Sequence, residues 1–300
     1  MKTKIVYVLV SSFADCYYEQ LLISLYSMKI HNPSSSIIIV TDDITFTTLT
    51  GQRSGLYEYN CEVKVIEVPV QYSPFQRSRY LKTRLREFIS GDFLYVDTDT
   101  VICSDISEID TFKCDVGAVK DKNRPMKLSR FSGYPYEMAK KAGLASELLG
   151  EPYYNGGLLY VKDSPTAHAF YREWYSSWLL CLDKGLNIDQ TGLCLANKKL
   201  GRIIEPIDYK WNCQINSDGL LYTKDAYIIH YFSDKYPQYL LSRRSVQETI
   251  KEFGSIPPFV IDFINNPKLV FTKTNRLLAV KIKKLLYPLY IGYRYIKGII

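Results

Sequence analysis

The sequence predicts an α/β domain built on a mixed, mainly parallel β-sheet that is flanked by helices. Two observations support this prediction. Short apolar runs rich in β-branched residues alternate with segments whose apolar residues recur at helical spacing, which is typical of parallel sheets. Several of these apolar runs also end directly in acidic or other polar residues, as strands do at the ligand-binding edge of such a sheet.

The individual elements follow from these runs in chain order. We expect strands at residues 6–10, 37–40, 63–70, 93–96, 116–120, 157–161 and 226–230. We expect helices at residues 17–28, 78–89, 136–149, 166–182 and 189–196. Lys2 and Lys4 before the first run resemble the start of a signal peptide, but the β-branched residues and Asp15 fit a buried first strand better.

The positive charge of the chain is concentrated at its C-terminal end. The 300 residues carry a net charge of +7, yet no acidic residue follows Asp262, and eight basic residues do. Residues 1–262 therefore carry a net charge of −1, which argues against a nucleic-acid partner along the whole fold. We predict a domain of residues 1–265 and a basic amphipathic tail of residues 266–300 that binds an anionic membrane surface.

The predicted location follows from the tail and from the cysteines. Seven cysteines are scattered along the chain without a CxxC pair, which indicates a reducing compartment. One side of a helix would carry Leu278, Ile282, Leu285, Leu286 and Leu289, and the lysines of the segment fall outside this arc. We therefore expect a cytoplasmic protein that lies peripherally on the inner face of the cell membrane. The alternative is a tail helix that packs on the protein's own core.

A divalent cation site is predicted at the end of the strand at residues 93–96. Asp97 and Asp99 flank Thr98 there, and side chains two apart on a strand point to the same side. Two close carboxylates repel each other, and a cation that also binds a diphosphate relieves this repulsion. His230 ends another apolar run at the same predicted edge, and two carboxylates with one imidazole suit Mn²⁺, with Mg²⁺ as the alternative. A solvated turn after the strand is the competing interpretation of the aspartates.

Further polar candidates lie near this edge. Arg79, Lys82 and Arg86 are spaced to share one face of a basic helix, where they could meet an anionic substrate. Asn155-Gly156-Gly157 opens a strand, and its glycines would let the backbone approach a ligand closely. Asp189-Gln190 begins a helix, so that Asp189 is either a helix cap or a residue that faces a reacting centre.

Five segments in this order and spacing resemble a known enzyme family. They are VYVLVSSFADCYYEQLLISLYS, SRYLKTRLREFISGDFLYVDTDTVI, YYNGGLLYVKD, DQTGLCLAN and IIHYFSDK. The series is similar to the metal-dependent nucleotide-sugar glycosyltransferases of the GT-A fold, above all to family eight, whose retaining enzymes build bacterial surface glycans. The resemblance covers roughly residues 4–236 and implies a GT-A, Rossmann-like fold.

The resemblance also implies roles for single residues. Asp97, Asp99 and His230 would bind Mn²⁺, and the metal would hold the donor diphosphate. Asp189 and Gln190 would lie beside the anomeric carbon. The other donor-binding positions would be Tyr17 or Tyr18, Asp42 or Asp43, Arg79, Lys82, Thr98, Asn155, Gly156 and Lys235. Lys235 departs from the family pattern His-x-x-Gly-x-x-Lys, because it lies one residue too early and Ser233 replaces the glycine.

The resemblance implies an enzyme that transfers a hexose from a nucleoside diphosphate sugar, with UDP as the expected nucleotide. The acceptor would be a glycan or a lipid-linked sugar in the synthesis of surface polysaccharide or lipopolysaccharide. Retention of the anomeric configuration is implied by the resemblance alone. Two alternatives remain at this stage. One is a sugar nucleotidyltransferase, although Ser11-Ser12-Phe13-Ala14 is not the glycine-rich loop that it would usually show. The other is an inactive relative that binds carbohydrate or membrane.

Overall fold

The protein is described by a computed structural model that covers residues 1–124, 134–216, 218–232 and 240–267, together with positions 281, 282, 285, 286, 288, 289, 293 and 296. Ten strands lie in these residues: β1 Lys4–Leu9, β2 Ile37–Asp42, β3 Glu62–Ile66, β4 Phe93–Val96, β5 Thr100–Ile102, β6 Val116–Lys120, β7 Tyr154–Val161, β8 Ile204–Pro206, β9 Cys213–Gln214 and β10 Ile228–His230. Ten α-helices accompany them: α1 Tyr17–His31, α2 Asp43–Phe46, α3 Pro74–Thr83, α4 Leu85–Phe88, α5 Tyr134–Lys141, α6 Ala145–Leu148, α7 Pro165–Asp183, α8 Asp189–Lys199, α9 Arg244–Phe253 and α10 Pro258–Asn265.

Seven strands form the main sheet, in the order β3-β2-β1-β4-β7-β6-β8. β1, β2, β3 and β4 are parallel, β7 runs antiparallel to both β4 and β6, and β8 is parallel to β6. Every strand except β7 therefore runs in one direction, and the C-terminal ends of β1, β2, β4, β6 and β8 meet at one edge of the sheet. The predicted mixed, mainly parallel sheet flanked by helices is confirmed.

A smaller sheet of three strands, β5-β10-β9, lies next to this edge. β10 pairs antiparallel with β5, so that His230 lies opposite Thr100, and it pairs in parallel with β9. This small sheet matters for the site because it brings a residue from far along the chain beside the end of β4.

The core has two layers, one on each face of the main sheet, because side chains along a buried strand point alternately to the two faces. Tyr7 and Leu9 of β1 belong to one cluster with the apolar residues of α1, α9 and α10, whereas Val6 and Val8 belong to a second cluster with those of α3, α7 and α8. Since successive side chains of a strand point to opposite faces, one continuous apolar run fills both layers. Apolar residues on both faces are what a parallel sheet covered by helices requires.

Two predicted helices are divided in the structure. The basic helix predicted at residues 78–89 starts earlier, where Ser73 and Gln76 form a capping box, and it breaks at Arg84 into α3 and α4. The helix predicted at residues 136–149 is interrupted near Gly143, whose φ of +72° lies in the left-handed region that favours glycine. The break at Arg84 turns Arg86 away from Arg79 and Lys82. Arg86 donates instead to the carbonyl oxygen of Gly91, so the prediction that it shares their face is wrong.

A buried ion pair fixes α3 to the end of β2. Asp42 is fully buried and accepts a hydrogen bond from the guanidinium of Arg77, and its other oxygen caps α2 by accepting from the backbone N–H of Thr45 at 2.7 Å. Both charges are removed from water, so each stabilises the fold only while the other is present.

Removing one partner of this pair should therefore cost more than removing both. We expect Arg77→Met to lower the free energy of unfolding by about 3–5 kcal/mol, because it leaves the Asp42 carboxylate buried and unpaired. The double variant Arg77→Met/Asp42→Asn should recover much of this loss, since Asn still caps α2. Urea denaturation of the wild type, both single variants and the double variant measures the coupling. Additive losses would contradict the prediction.

Candidate active site at the carboxyl edge of the sheet

Three potential metal ligands converge after β4. Asp97 leaves the end of the strand with its backbone N–H bound to the carbonyl oxygen of Gly157 at 2.8 Å, and Asp99 precedes β5. β10 then places His230 against them, with its Nε2 3.1 Å from Asp99 Oδ1 and 3.9 Å from Asp97 Oδ2. One ligand atom from each of the three residues lies within 4.8 Å of the others. The structure thus brings together the three residues that the sequence analysis assigned to the metal.

The surroundings of this cluster fit a divalent cation. Two carboxylates and one imidazole form a donor set that Mn²⁺ and related cations accept. A Cβ atom at Gly157 would lie 2.5 Å from the His230 ring and 2.6 Å from Asp97 Oδ2, so only glycine leaves these ligands in place. The Nδ1 of His230 lies 3.2 Å from Asn212 Oδ1, so that Nδ1–H donates to this oxygen and Nε2 faces the carboxylates.

The protonation of the cluster reflects its charges. Burial by itself lowers the pKa of His230, but the charge of Asp99 and the hydrogen bond to it outweigh burial, and the net pKa is raised. Burial likewise raises the pKa of Asp99, and the charge of His230 outweighs it in the other direction, so that the net pKa is lowered. Asp99 is therefore held ionised, as a metal ligand must be.

Lys82 connects the metal cluster to the second pair of predicted residues. Its ammonium lies 2.9 Å from Asp189 Oδ2 and 3.5 Å from Asp97 Oδ1, and Arg79 adds a guanidinium 3.5 Å from Asp189 Oδ1. Although burial raises the pKa of Asp189, the charges of Lys82 and Arg79 lower it further than burial raises it. Asp189 is the first residue of α8, but the helix has no side-chain cap. Its carboxylate faces the two cations and does not cap the helix.

A chain of amide hydrogen bonds runs from the metal cluster to Gln190. Asn212 donates to Asn155 Oδ1 at 2.9 Å, and Asn155 donates to Asp121 Oδ1 at 3.3 Å. Gln190 donates to the same Asp121 oxygen at 3.1 Å. Since Asn212 also contacts His230, the groups assigned to the metal and to the sugar share one rigid polar network.

Three residues of this site were missed in the sequence. Asp121 follows β6 directly, and the same rule that singled out Asp97, an acidic residue after an apolar strand, could have found it. Asn212 lies in a 3₁₀ turn, Tyr209–Asn212, that carries no periodic signal. Tyr95 lies within β4, where it looks like an ordinary core residue, yet its hydroxyl donates to Asp97 and its ring lies under the Lys82 ammonium.

The structure distinguishes between Tyr17 and Tyr18, and between Asp42 and Asp43, as candidates for donor binding. Tyr17 is half exposed, whereas Tyr18 is buried and its hydroxyl accepts from the backbone N–H of Leu56, so Tyr17 is the better candidate for stacking on a base. Asp42 is committed to Arg77 and to capping α2, whereas Asp43 is exposed.

Of the remaining predicted residues, Gly156 and Thr98 lie close to the charged groups of the site, and Lys235 is not among the residues that the structure describes. Gly156 lies against the charged network, because a Cβ atom there would be 3.5 Å from the Lys82 ammonium. Thr98 is partly exposed between the two aspartates.

The comparison with known families decides between the chemistries that this site permits. The profile of the family described as Glycosyl transferase family 8 matches residues 8–236, about three quarters of the chain. The chain belongs to glycosyl transferase family 8. This glycosyl transferase matches no curated protein sequence significantly. Family membership assigns it glycosyl transfer rather than nucleotidyl transfer.

Solved structures agree with the family on the fold. The glycosyl transferase resembles mouse xyloside xylosyltransferase 1 in its apo form, with a TM-score of 0.51 and 12% identity over 77% of this chain and 98% of that one. It also resembles the glycosyltransferase GlyE of Streptococcus pneumoniae TIGR4, with a TM-score of 0.53 and 17% identity over 88% of this chain and 63% of that one. The galactosyltransferase LgtC, solved with donor and acceptor sugar analogs, gives a TM-score of 0.54 and 16% identity over 87% and 99%. At these identities the likeness establishes the GT-A fold.

Gly157 offers a direct test of the metal cluster. We expect Gly157→Ala to weaken Mn²⁺ binding by roughly 10–100-fold, because the new methyl group displaces His230 and Asp97 from their common position. The matched control is Gly156→Ala, whose Cβ makes only ordinary contacts and should leave Mn²⁺ affinity near that of the wild type. Isothermal titration with Mn²⁺ measures both. Equal losses in the two variants would show that the cluster does not bind the metal.

Proposed function

We propose that this glycosyl transferase moves a hexose from UDP-hexose to a glycan or lipid-linked acceptor of surface polysaccharide or lipopolysaccharide synthesis, with retention of the anomeric configuration. The observation that carries the proposal is the position of Asp97, Asp99 and His230 directly beside the Lys82–Asp189 pair. The first group suits a metal-bound diphosphate, and the second suits the positive charge that develops on a sugar during transfer. A nucleotide-sugar donor needs these two groups close together, because its diphosphate and its sugar ring are directly bonded.

The residues divide the work between leaving group and sugar. A divalent cation, Mn²⁺ in this proposal, supplies Lewis-acid charge to the departing diphosphate when bound. Lys82 lies between Asp97 and Asp189 and adds a further positive charge on the leaving-group side. The transition state of glycosyl transfer resembles an oxocarbenium ion, so that the ionised Asp189 stabilises the sugar side. Gln190, held by Asp121, orients a sugar hydroxyl or the acceptor.

The proposal is distinguished from an inactive relative by turnover. We expect release of nucleoside diphosphate from UDP-hexose in the presence of Mn²⁺, no release in excess EDTA, and a loss of at least about 100-fold in kcat for Asp99→Asn. A screen of UDP-, GDP- and dTDP-hexoses with purified protein measures this. The control is Asp105→Asn, an exposed aspartate outside the cluster, which should turn over as the wild type does. Turnover that persists in EDTA would reject the metal-dependent mechanism.

We also propose that the basic tail binds the cytoplasmic face of the cell membrane. The described positions of the tail that carry large apolar side chains are exposed: Ile282, Leu285, Leu286, Leu289, Tyr293 and Ile296. Lys281 is exposed among them, and eight basic residues without an acidic one lie beyond Asp262. Apolar side chains next to lysines suit the interface of an anionic bilayer. Of the helices in the described residues, none has the length and hydrophobicity needed to cross a bilayer.

Vesicle flotation tests this proposal on the full chain. We expect binding to vesicles that contain phosphatidylglycerol, weaker binding at high salt, and a loss of roughly 10-fold for Leu285→Ser/Leu289→Ser, since each removed apolar side chain reduces the area buried in lipid. Phe253→Ser is the matched control, because Phe253 is a similarly exposed apolar residue on α9. Equal flotation of both variants would refute the role of the tail.

A further inference from the structure

A cavity of about 410 Å³ lies at the C-terminal ends of β6 and β8. Its polar and aromatic wall is formed by Lys120, Asn123, Arg124, Asp208, Tyr209 and Tyr222. None of these residues belongs to the metal cluster or to the donor-binding set that the family resemblance implies.

The sheet places this cavity next to the reaction centre. β6 runs in the same direction as β4, because both are antiparallel to β7, so the cavity lies at the same sheet edge as Asp97. Neighbouring strands are about 4.8 Å apart, which puts β6 roughly 10 Å from β4, on the side away from β1 and Tyr17. Asp121 follows Lys120 directly and accepts from Gln190. A sugar chain that starts at Gln190 would reach the cavity within about one to two residues.

The cavity wall carries two cations and one carboxylate, so that its net charge is positive. Lys120 and Arg124 form no salt bridge with any residue that the structure describes, and the Nε of Arg124 is buried without a hydrogen-bond partner in the same part of the chain. The one carboxylate of the wall, Asp208, accepts from the backbone N–H of Lys210 at 2.8 Å and caps a turn. A buried guanidinium nitrogen without an acceptor is costly, and an anion placed between the two cations would satisfy it.

The aromatic part of the wall suits a sugar ring. The rings of Tyr209 and Tyr222 stack with their centroids 3.7 Å apart and 29° between their planes. Such a pair presents a flat apolar surface edged by polar hydroxyls, which matches the C–H face and the hydroxyl rim of a pyranose. Asn123, held by the backbone N–H of Gln214 at 2.6 Å, adds a fixed amide next to the rings.

We propose that this cavity binds a negatively charged sugar residue of the acceptor, with its ring against the tyrosine pair and its carboxylate or phosphate between Lys120 and Arg124. The inference rests on the proposed function, since it gives glycosyl transfer an acceptor of stated chemistry. It predicts that the acceptor glycan carries a uronic acid or a phosphorylated sugar one or two residues from the hydroxyl that is glycosylated.

Ligand-observed NMR titration of the wild-type protein with three glycosides tests the cavity. The probes are methyl glucuronide, methyl glucoside 6-phosphate and the neutral methyl glucoside, which separate the carboxylate source of charge from the phosphate source. We expect at least one charged glycoside to bind roughly 10-fold more tightly than the neutral one, as one charged hydrogen bond allows. Equal affinities for all three glycosides would overturn the inference.

Single variants test whether the preference for a charged glycoside arises from the wall of this cavity. Arg124→Gln should remove the preference for the charged glycoside, whereas Arg172→Gln, which removes an exposed arginine of α7, should keep it. Tyr209→Ala should weaken all three glycosides together, and Tyr209→Phe, which keeps the ring, should not. A preference that survives Arg124→Gln would place the charged sugar elsewhere and reject the cavity. Failure of the proposed function would look different, because the wild type would then release no nucleoside diphosphate from any donor.

Discussion

The site depends on one buried lysine. Lys82 lies between Asp97 and Asp189, and both carboxylates come from elements that would otherwise repel each other at the sheet edge. Together with Arg79, this ammonium keeps Asp189 ionised close to the metal ligands. Burial of the Lys82 ammonium is offset by its two ion pairs and, in addition, by the aromatic ring of Tyr95 under the charge. The position of α3, from which Lys82 projects, is in turn fixed by the buried pair of Arg77 and Asp42.

The antiparallel strand β7 completes the site from the other side. It inserts between β4 and β6, and its first residues bring Asn155 and two glycines against the charged network. The backbone has to pass close to His230 and Asp97 there, which excludes any side chain at Gly157. Asn155 then shares its oxygen between the backbone N–H of Gly157 and the side chain of Asn212. The first residues of β7 thus pass between the metal ligands and link them, through Asn155 and Asp121, to Gln190.

The sequence predicted those elements of the structure that are determined by neighbouring residues in the chain. Continuous apolar runs predicted seven of the ten described strands, whereas the short strands β5, β8 and β9 were missed. The rule that acidic residues after such strands share an edge predicted that Asp97 and Asp99 would lie with His230. The break at Arg84 was missed because the residues on both sides favour helix, and tertiary packing decides where α3 ends. Asn212 and Tyr95 were missed for a related reason. Their roles come from neighbours more than 15 residues away or from a buried strand position, and neither leaves a periodic pattern in the chain.

The two halves of the sheet edge differ in how their charges are satisfied. On the β1–β2 side, Asp42 and Arg77 neutralise each other within the fold, and Tyr17 is half exposed. On the β6–β8 side, Lys120 and Arg124 have no ion-pair partner among the described residues. A fold keeps uncompensated charge of this kind only at a free-energy cost, unless a ligand offsets it. The proposed anionic sugar would offset this cost on the β6–β8 side, whereas the Asp42–Arg77 pair fixes α3 to β2 on the other side.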